Sequence, residues 1–375
     1  MKISQLRTPC VLIDHGRMSQ NLQRMQDGAT LNGKRLRPHS KTHKSIALAE
    51  RQISLGAVGV CCAKLGEAEV MADAGIDDIR LPYPLNPVNA DRVLALLDRA
   101  RISFIVDHAA IAHGWSDAMV RAGTTVDVLV KVDVGFHRCG IDPEGAEAAR
   151  FVADVAALPG LRLRGLLSHA GQGYGATSAE EAESIARSEA DILRGLADQV
   201  RARGVSIDEL SVGATPTARF SVTEPGVTEL RPGNYIYFDR TQVGLGAAGW
   251  DDCALTVLAR VVTAPAPGRI ILDCGSKTLT NDVARGFAAM PGYGAVLAGI
   301  DGVQTPDDSL TIERLSEEHA NVKVQGQRTR LAPGDLVRIV PNHSCVVSNL
   351  VDSAWMVSGT DVLEALRVSA RGRIT

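Results

Sequence analysis

The feature that most restricts how this chain can fold is an alternation running through its first two thirds. Short runs rich in β-branched residues lie at 10–14, 59–63, 78–82, 103–107, 126–132, 161–168 and 209–213. Longer segments separate them, at 18–27, 44–55, 66–74, 90–100, 108–122, 144–158 and 178–203. The longer segments carry apolar residues at i, i+3 and i+4, the pattern of an amphipathic helix. A further strand is required near 35–37. About eight strand–helix units over roughly 240 residues predict an α/β chain with a parallel sheet and right-handed crossovers, and at that count a closed (β/α)8 TIM-type barrel. A doubly wound open sheet is the competing reading. That fold usually shows GxGxxG after its first strand, and no such motif follows residues 10–14.

After about Gly246 the texture changes. Strand-like runs at 257–263, 269–272, 322–324, 336–340 and 353–357 are separated by turn signals such as 265–268 and Pro333-Gly334, with no long helical pattern between them. A barrel over 10–245 followed by a mostly β domain over 246–375 is the expected organisation.

Composition narrows the function classes. Hydrophobic residues make up 45% and charged residues 22%, as in soluble globular proteins. A net charge of −3 gives no reason to invoke nucleic acid or an anionic membrane. No run reaches the roughly 18 apolar residues of a membrane span, and the first residues lack the apolar core of a signal peptide, so a cytoplasmic location is expected. The seven cysteines are scattered and odd in number, with neither paired CxxC motifs nor a disulfide framework. Most are expected to be buried thiols; Cys345 stands apart because of its neighbours.

Several segments carry chemistry. Arg37-Pro-His-Ser-Lys41-Thr-His-Lys44 follows a predicted barrel strand, on the face where barrel enzymes keep their active sites. A lysine there can be partly desolvated, which favours the neutral amine and Schiff-base chemistry; a solvated basic loop is the bland alternative. Arg138, in the segment from Lys131 to Gly140, could hold an oxyanion or phenolate, or simply pair with a surface acid. Ser168-His169-Ala-Gly-Gln172-Gly-Tyr174 offers an imidazole, an amide and a phenol, although a lone His169 is more often a satisfied core histidine. The turns Val212-Gly-Ala-Thr215 and Arg231-Pro-Gly233-Asn234 fall where the last two barrel strands end, a common phosphate site and also ordinary turn chemistry. Finally, Pro341-Asn-His343-Ser-Cys345 has a His-X-Cys spacing that on an extended segment points both side chains to one face. Imidazole and thiolate together suit zinc, and two ligands leave positions open for water or a substrate oxygen; a core cysteine beside an unrelated histidine is the alternative.

Together these segments resemble the fold-type III pyridoxal-phosphate enzymes, the group of alanine racemase. The nearer likeness is to the branch of D-serine dehydratase, D-threonine aldolase and 3-hydroxy-D-aspartate lyases. It spans nearly the whole chain, from Thr8-Pro-Cys-Val-Leu-Ile-Asp14 to Ala370-Arg-Gly372, and the Arg-Pro-His-x-Lys-Thr-His-Lys motif is specific to the branch, as are Gly-Ala-Val-Gly-Val-Cys-Cys at 56–62 and Gly66-Glu-Ala-Glu69. The resemblance implies that residues 1–9 join the β domain. It implies that Lys41 is the Schiff-base lysine and that Arg138 lies near the cofactor's phenolic oxygen. His169 would lie against the pyridine ring and Tyr174 near the lysine and substrate. Thr215, Gly233 and Asn234 would hold the phosphate, and Arg231 matches the position facing the pyridine nitrogen in the racemase. His343 and Cys345 match the branch's metal pair. A homodimer with shared active sites is also implied.

The expected function is therefore a lyase acting on a small D-3-hydroxy amino acid, dependent on pyridoxal 5'-phosphate and a divalent metal, with zinc ahead of manganese or magnesium. The cysteine at 345, where aldolases carry aspartate, favours a D-serine dehydratase type giving keto acid and ammonia. The alternative is retro-aldol cleavage of the D-threonine aldolase type. A racemase would need an opposing tyrosine base and no metal, and a non-catalytic cofactor-binding protein would lack the metal pair.

Overall fold

The computed structural model describes residues 1–327 and 329–375. Its strands are β1 Cys10–Asp14, β2 Arg35–Leu36, β3 Val60–Cys61, β4 Asp78–Pro84, β5 Arg101–Val106, β6 Val126–Lys131, β7 Leu161–Leu167, β8 Glu209–Val212, β9 Glu229–Leu230, β10 Leu255–Ala266, β11 Arg269–Leu272, β12 Ala295–Val296, β13 Leu310–Leu315, β14 Ala320–Val324, β15 Leu336–Val340, β16 Ser353–Ser358 and β17 Asp361–Arg367.

Strands β2 to β9 form one all-parallel sheet in the order β2-β9-β8-β7-β6-β5-β4-β3. Its two ends meet: Val58 N donates to Leu36 O at 2.9 Å, Cys61 N donates to Pro38 O at 2.8 Å, and His39 bridges Cys61 in parallel. The expected (β/α)8 barrel is therefore closed. Between strands run helices at Ile46–Ser54, Leu65–Asp73, Ala90–Leu97, Ala109–Arg121, Ala148–Ala156 and Ala179–Arg201. Each presents a stripe of apolar residues to the sheet, such as Leu193, Leu196, Ala197 and Val200 of the last helix. Such a stripe removes apolar surface from water, the main drive for docking a helix on a sheet.

The far end of the barrel interior is ionic rather than apolar. Arg37 holds Asp78 at 2.5 Å and Glu229 at 2.9 Å, and Arg80 pairs with Glu229 and, at 2.8 Å, with Glu209. All five side chains are buried. Charges taken this far from water persist only with such mutual pairing.

One sequence expectation needs correction. Residues 10–14 read as the strand that opens the barrel, yet β1 pairs antiparallel with β10 and parallel with β16 and so belongs to the second sheet. The eighth barrel strand is instead β9, two residues long, between β2 and β8. The second sheet runs β13-β14-β11-β10-β1-β16-β17, with β15 pairing β10 and β12. It contains the five strands expected after Gly246, together with β12, β13 and β17. Among the described residues no helix is long and apolar enough to cross a membrane.

Candidate active site

The C-terminal ends of the barrel strands surround a cavity of about 500 Å³. Lys41, Arg138, His169, Tyr174, Thr215, Arg231, Gly233, Asn234, His343 and Cys345 all line it. The ten residues singled out in the sequence, drawn from segments more than 300 positions apart, therefore share one wall.

Lys41 sits in a single helical turn, Ser40–Thr42, after β2. Its amine opens into the cavity but is ringed by protein. That desolvation, aided by Arg138 and resisted by Cys345, holds the amine below the usual lysine range. His169 follows β7. Its Nδ1–H donates to the Gly213 carbonyl, which leaves Nε2 as the unprotonated nitrogen. Burial and the charges of Arg138, Lys41 and Lys131 keep the ring neutral, well below the usual histidine range. Burial likewise raises the Tyr174 phenol, which stays protonated.

Arg231 extends from β9 and spends its donors on Ser211 Oγ, at 2.6 Å, and on the Ser168 carbonyl. Asn234 is also committed. Its backbone N–H donates to Thr215 Oγ1 at 3.1 Å, and its amide Nδ2 reaches Asp239 at 2.6 Å, Ser344 Oγ at 3.1 Å and Cys345 Sγ at 3.2 Å. The side chain of Asn234 thus braces the Cys345 segment, while the Gly233–Asn234 turn, tied to Thr215, lines the cavity. A side chain at Gly233 would place Cβ 2.9 Å from Thr42 Oγ1 and 3.2 Å from His39 Cβ, so this position needs glycine for space.

The His-X-Cys segment departs from expectation in its backbone. It is extended only as far as His343; a short helix, Ser344–Ser348, begins directly after it. Asp239 causes the turn by accepting from Ser344 N at 2.9 Å. The two side chains still meet. Burial disfavours the charged His343 ring, but its hydrogen bond and charge pairing with Cys345, with Asp239 and Asp282 behind, push it up to about 10. Burial raises the Cys345 thiol, and the His343 contact more than offsets this, so the thiol lies below its usual range. The contact thus favours the charged form of each partner, the thiolate and the imidazolium. A cation taking both as ligands displaces the shared proton.

Sequence reasoning missed three contributors. Asp282 Oδ2 lies 2.7 Å from His343 Nδ1 and fixes the ring so that Nε2 is the nitrogen left for a ligand. Lys131, at the end of β6, lines the cavity, and burial with the nearby Arg231 lowers its amine to about 8. Glu67 also lines it and holds Lys44 at 2.9 Å. Lys131 stood at the head of a motif already noted, so its position was available. Asp282 carried no signal, because its role comes from a contact across 61 residues.

Comparison with known proteins bears on this arrangement. Residues 13–241 match the alanine racemase N-terminal domain, and residues 254–357 match a putative serine dehydratase domain. The chain is 34% identical to a D-threonine aldolase of Arthrobacter sp, over 99% of this chain and 94% of the relative. It is 34% identical to D-threo-3-hydroxyaspartate dehydratase of Delftia sp. (strain HT23), over 91% of each. Two solved structures of alanine variants of D-threo-3-hydroxyaspartate dehydratase match it with TM-scores of 0.92 and 0.91, at 30% and 29% identity, covering 98% of this chain and 96% and 98% of theirs. One variant replaces a histidine; the other, in a metal-free form, replaces a cysteine two positions later. By its barrel, its second sheet and these matches, the chain belongs to the alanine racemase N-terminal domain family, in the arrangement that joins this domain to a serine dehydratase-type domain.

Proposed function

We propose that this protein is a lyase dependent on pyridoxal phosphate and a divalent metal, acting on D-3-hydroxy amino acids, most closely of the D-serine dehydratase type. The observation that carries the reading is a desolvated lysine, Lys41, opening into the same cavity as a His343–Cys345 pair whose ring is oriented by a carboxylate.

The residues fit the cofactor the family implies. A cavity of about 500 Å³ lies in the range of small-cofactor sites. Lys41, Lys44, Lys64, Lys131, Arg138 and Arg231 line it, against one carboxylate, Glu67, that is already paired with Lys44. Such an excess of positive charge suits a phosphate together with a substrate carboxylate. Thr215, Gly233 and Asn234 would hold the phosphate, Arg138 the phenolic oxygen, and His169 the ring face, with Arg231 opposite the pyridine nitrogen. The donor set at His343 and Cys345, a nitrogen and a soft sulfur, favours zinc over magnesium or manganese. Two protein ligands would leave coordination positions for a substrate oxygen.

When bound, pyridoxal phosphate supplies an electron sink for charge at Cα, and the cation supplies a Lewis acid. The protein does the rest. Lys41, its pKa lowered by desolvation, is the base that takes the proton from Cα. Arg138, placed for the phenolic oxygen, adds the positive charge that helps keep the Lys41 amine neutral. Neutral His169 and protonated Tyr174 add no charge that would compete with that proton transfer. His343 and Cys345 hold the cation at the β-oxygen side, and Asp282 fixes His343.

Loss of the Cα proton and the β-hydroxyl, together one water, leaves an enamine whose imine tautomer takes up water to give a keto acid and ammonia, and Cys345 supports this route. Similarity to the Arthrobacter D-threonine aldolase supports the alternative, cleavage to glycine and an aldehyde. Purified protein offered D-serine, D-threonine and 3-hydroxy-D-aspartate, with and without chelator, separates the two by product. No turnover of any of them overturns the proposal. We further propose a cytoplasmic homodimer, supported by free cysteines throughout and by the exposed Phe136 and Val283 at the cavity rim, and checked by light scattering in solution.

A further inference from the structure

The chain from Asp282 to Gly292 contains no helix or strand, and none of its residues is buried. A segment without buried apolar side chains has no core of its own, so its anchors decide where it lies. Midway it rests on the short helix Arg240–Gly244, where Phe287 N donates to the Gly244 carbonyl at 2.9 Å. Its two ends are held together by one side chain. Asn342 Nδ2 donates to the Asp282 carbonyl at 2.9 Å and to the Gly292 carbonyl at 2.9 Å. Those are the two N–H donors that the amide possesses. Its Oδ1 accepts from Arg240 Nη1 at 3.2 Å, which fixes the end of the amide that faces the loop. Asn342 itself is buried.

The backbone around His343 does not depend on that amide. Arg240 N donates to the Pro341 carbonyl at 3.1 Å, Thr241 Oγ1 donates to the Asn342 carbonyl at 2.8 Å, and Ser344 N donates to Asp239 at 2.9 Å. The side chain of Asn342 therefore serves the loop rather than the His-X-Cys segment to which it belongs. What the loop carries at this end is Asp282. Its carboxylate meets the His343 ring at 2.7 Å, yet the two side chains are 46% and 43% exposed. A pair this open to water holds itself together only weakly. Its geometry must come from the backbone that presents the carboxylate. Thr280 Oγ1 accepts from Asp282 N at 3.1 Å on one side, and Asn342 holds the Asp282 carbonyl on the other.

We infer that Asn342 is a positioning residue: it fastens the 282–292 loop, keeps the Asp282 carboxylate on His343, and so sets the affinity of the His343–Cys345 pair for a cation. This inference rests on the metal-pair reading above. The test measures zinc affinity of the cofactor-loaded protein, by competition with a metal-sensitive dye, in wild type, N342A, N342D, D282N and the N342A/D282N double variant. Aspartate copies the shape of asparagine but offers no N–H, so N342D reports on the donors even where alanine leaves the segment unfolded. Each Asn342 variant should weaken zinc roughly 10-fold. In the D282N background N342A should add less than about twofold, because its effect passes through the carboxylate already removed. A merely structural role would multiply the two losses. Unchanged affinity in either Asn342 variant, or losses that multiply in the double variant, overturns the inference. If wild type binds zinc no better than H343A, the metal reading fails, and hydrogen–deuterium exchange still decides Asn342: faster exchange confined to 282–292 in N342D supports the fastening, and exchange equal to wild type refutes it.

Discussion

His343 Nδ1 and Asp282 Oδ2 stand 2.7 Å apart, joining the β domain's candidate ligand to a carboxylate on a separate loop. The contact fixes which ring nitrogen is available and raises the basicity of the ring. Replacing Asp282 by Asn should therefore weaken cation binding by about 10- to 100-fold while leaving both ligands in place. Competition with a metal-sensitive dye measures this directly, and affinity equal to wild type would remove Asp282 from the site.

Removing the cation should abolish turnover, and zinc should restore it. In the H343A variant zinc should not restore it, because one imidazole is gone and Cys345 alone cannot retain the ion. Metal content is read by mass spectrometry on the dialysed proteins. Full activity in metal-free wild type would contradict the assignment of the pair.

The Gly233 turn has an ordinary φ of −119°, so space alone demands glycine there. The G233A variant would drive Cβ against Thr42 Oγ1 and His39 Cβ, both beside Lys41. Overpacking of this kind costs about 1–3 kcal/mol. A lower melting temperature and weaker cofactor binding, followed by absorbance titration, are expected together.

Glu229 tests the ionic end of the barrel. Burial works against its charge, but Arg80 and Arg37 overcome this and hold its carboxyl far below the ordinary 4.5. A carboxylate with a depressed folded pKa stabilises the fold above its unfolded pKa and loses that contribution as pH falls. Stability should therefore drop more steeply below pH 4.5 in wild type than in E229Q. At neutral pH, E229Q should lose about 3–5 kcal/mol, because two arginines are left buried and short of a counter-charge. Urea unfolding at several pH values separates the two effects.

Much of this was legible in the sequence because barrel geometry converts order along the chain into position in space. Every strand end faces the same mouth, so residues placed at strand ends, such as Lys41, Arg138 and His169, were bound to converge. What failed were statements about pairing. The apolar pattern at 10–14 reports a strand but not its neighbours, and only the contacts to β10 and β16 remove it from the barrel. Strand β9 is too short for any period to register. The helix after His343 is set by Asp239, a residue more than a hundred positions earlier, which no local propensity encodes. Asp282 was invisible for the same reason: its contact with His343, rather than its neighbours in sequence, defines its role.

The central claim is that Lys41 carries the cofactor. Four lysines line the cavity, Lys41, Lys44, Lys64 and Lys131, so the claim is specific. The decisive measurement is borohydride reduction of the cofactor-loaded protein followed by peptide mapping. The cofactor mass is expected on Lys41 and absent from a K41A variant. Labelling of Lys44, Lys64 or Lys131 in its place, or of no lysine at all, would contradict it.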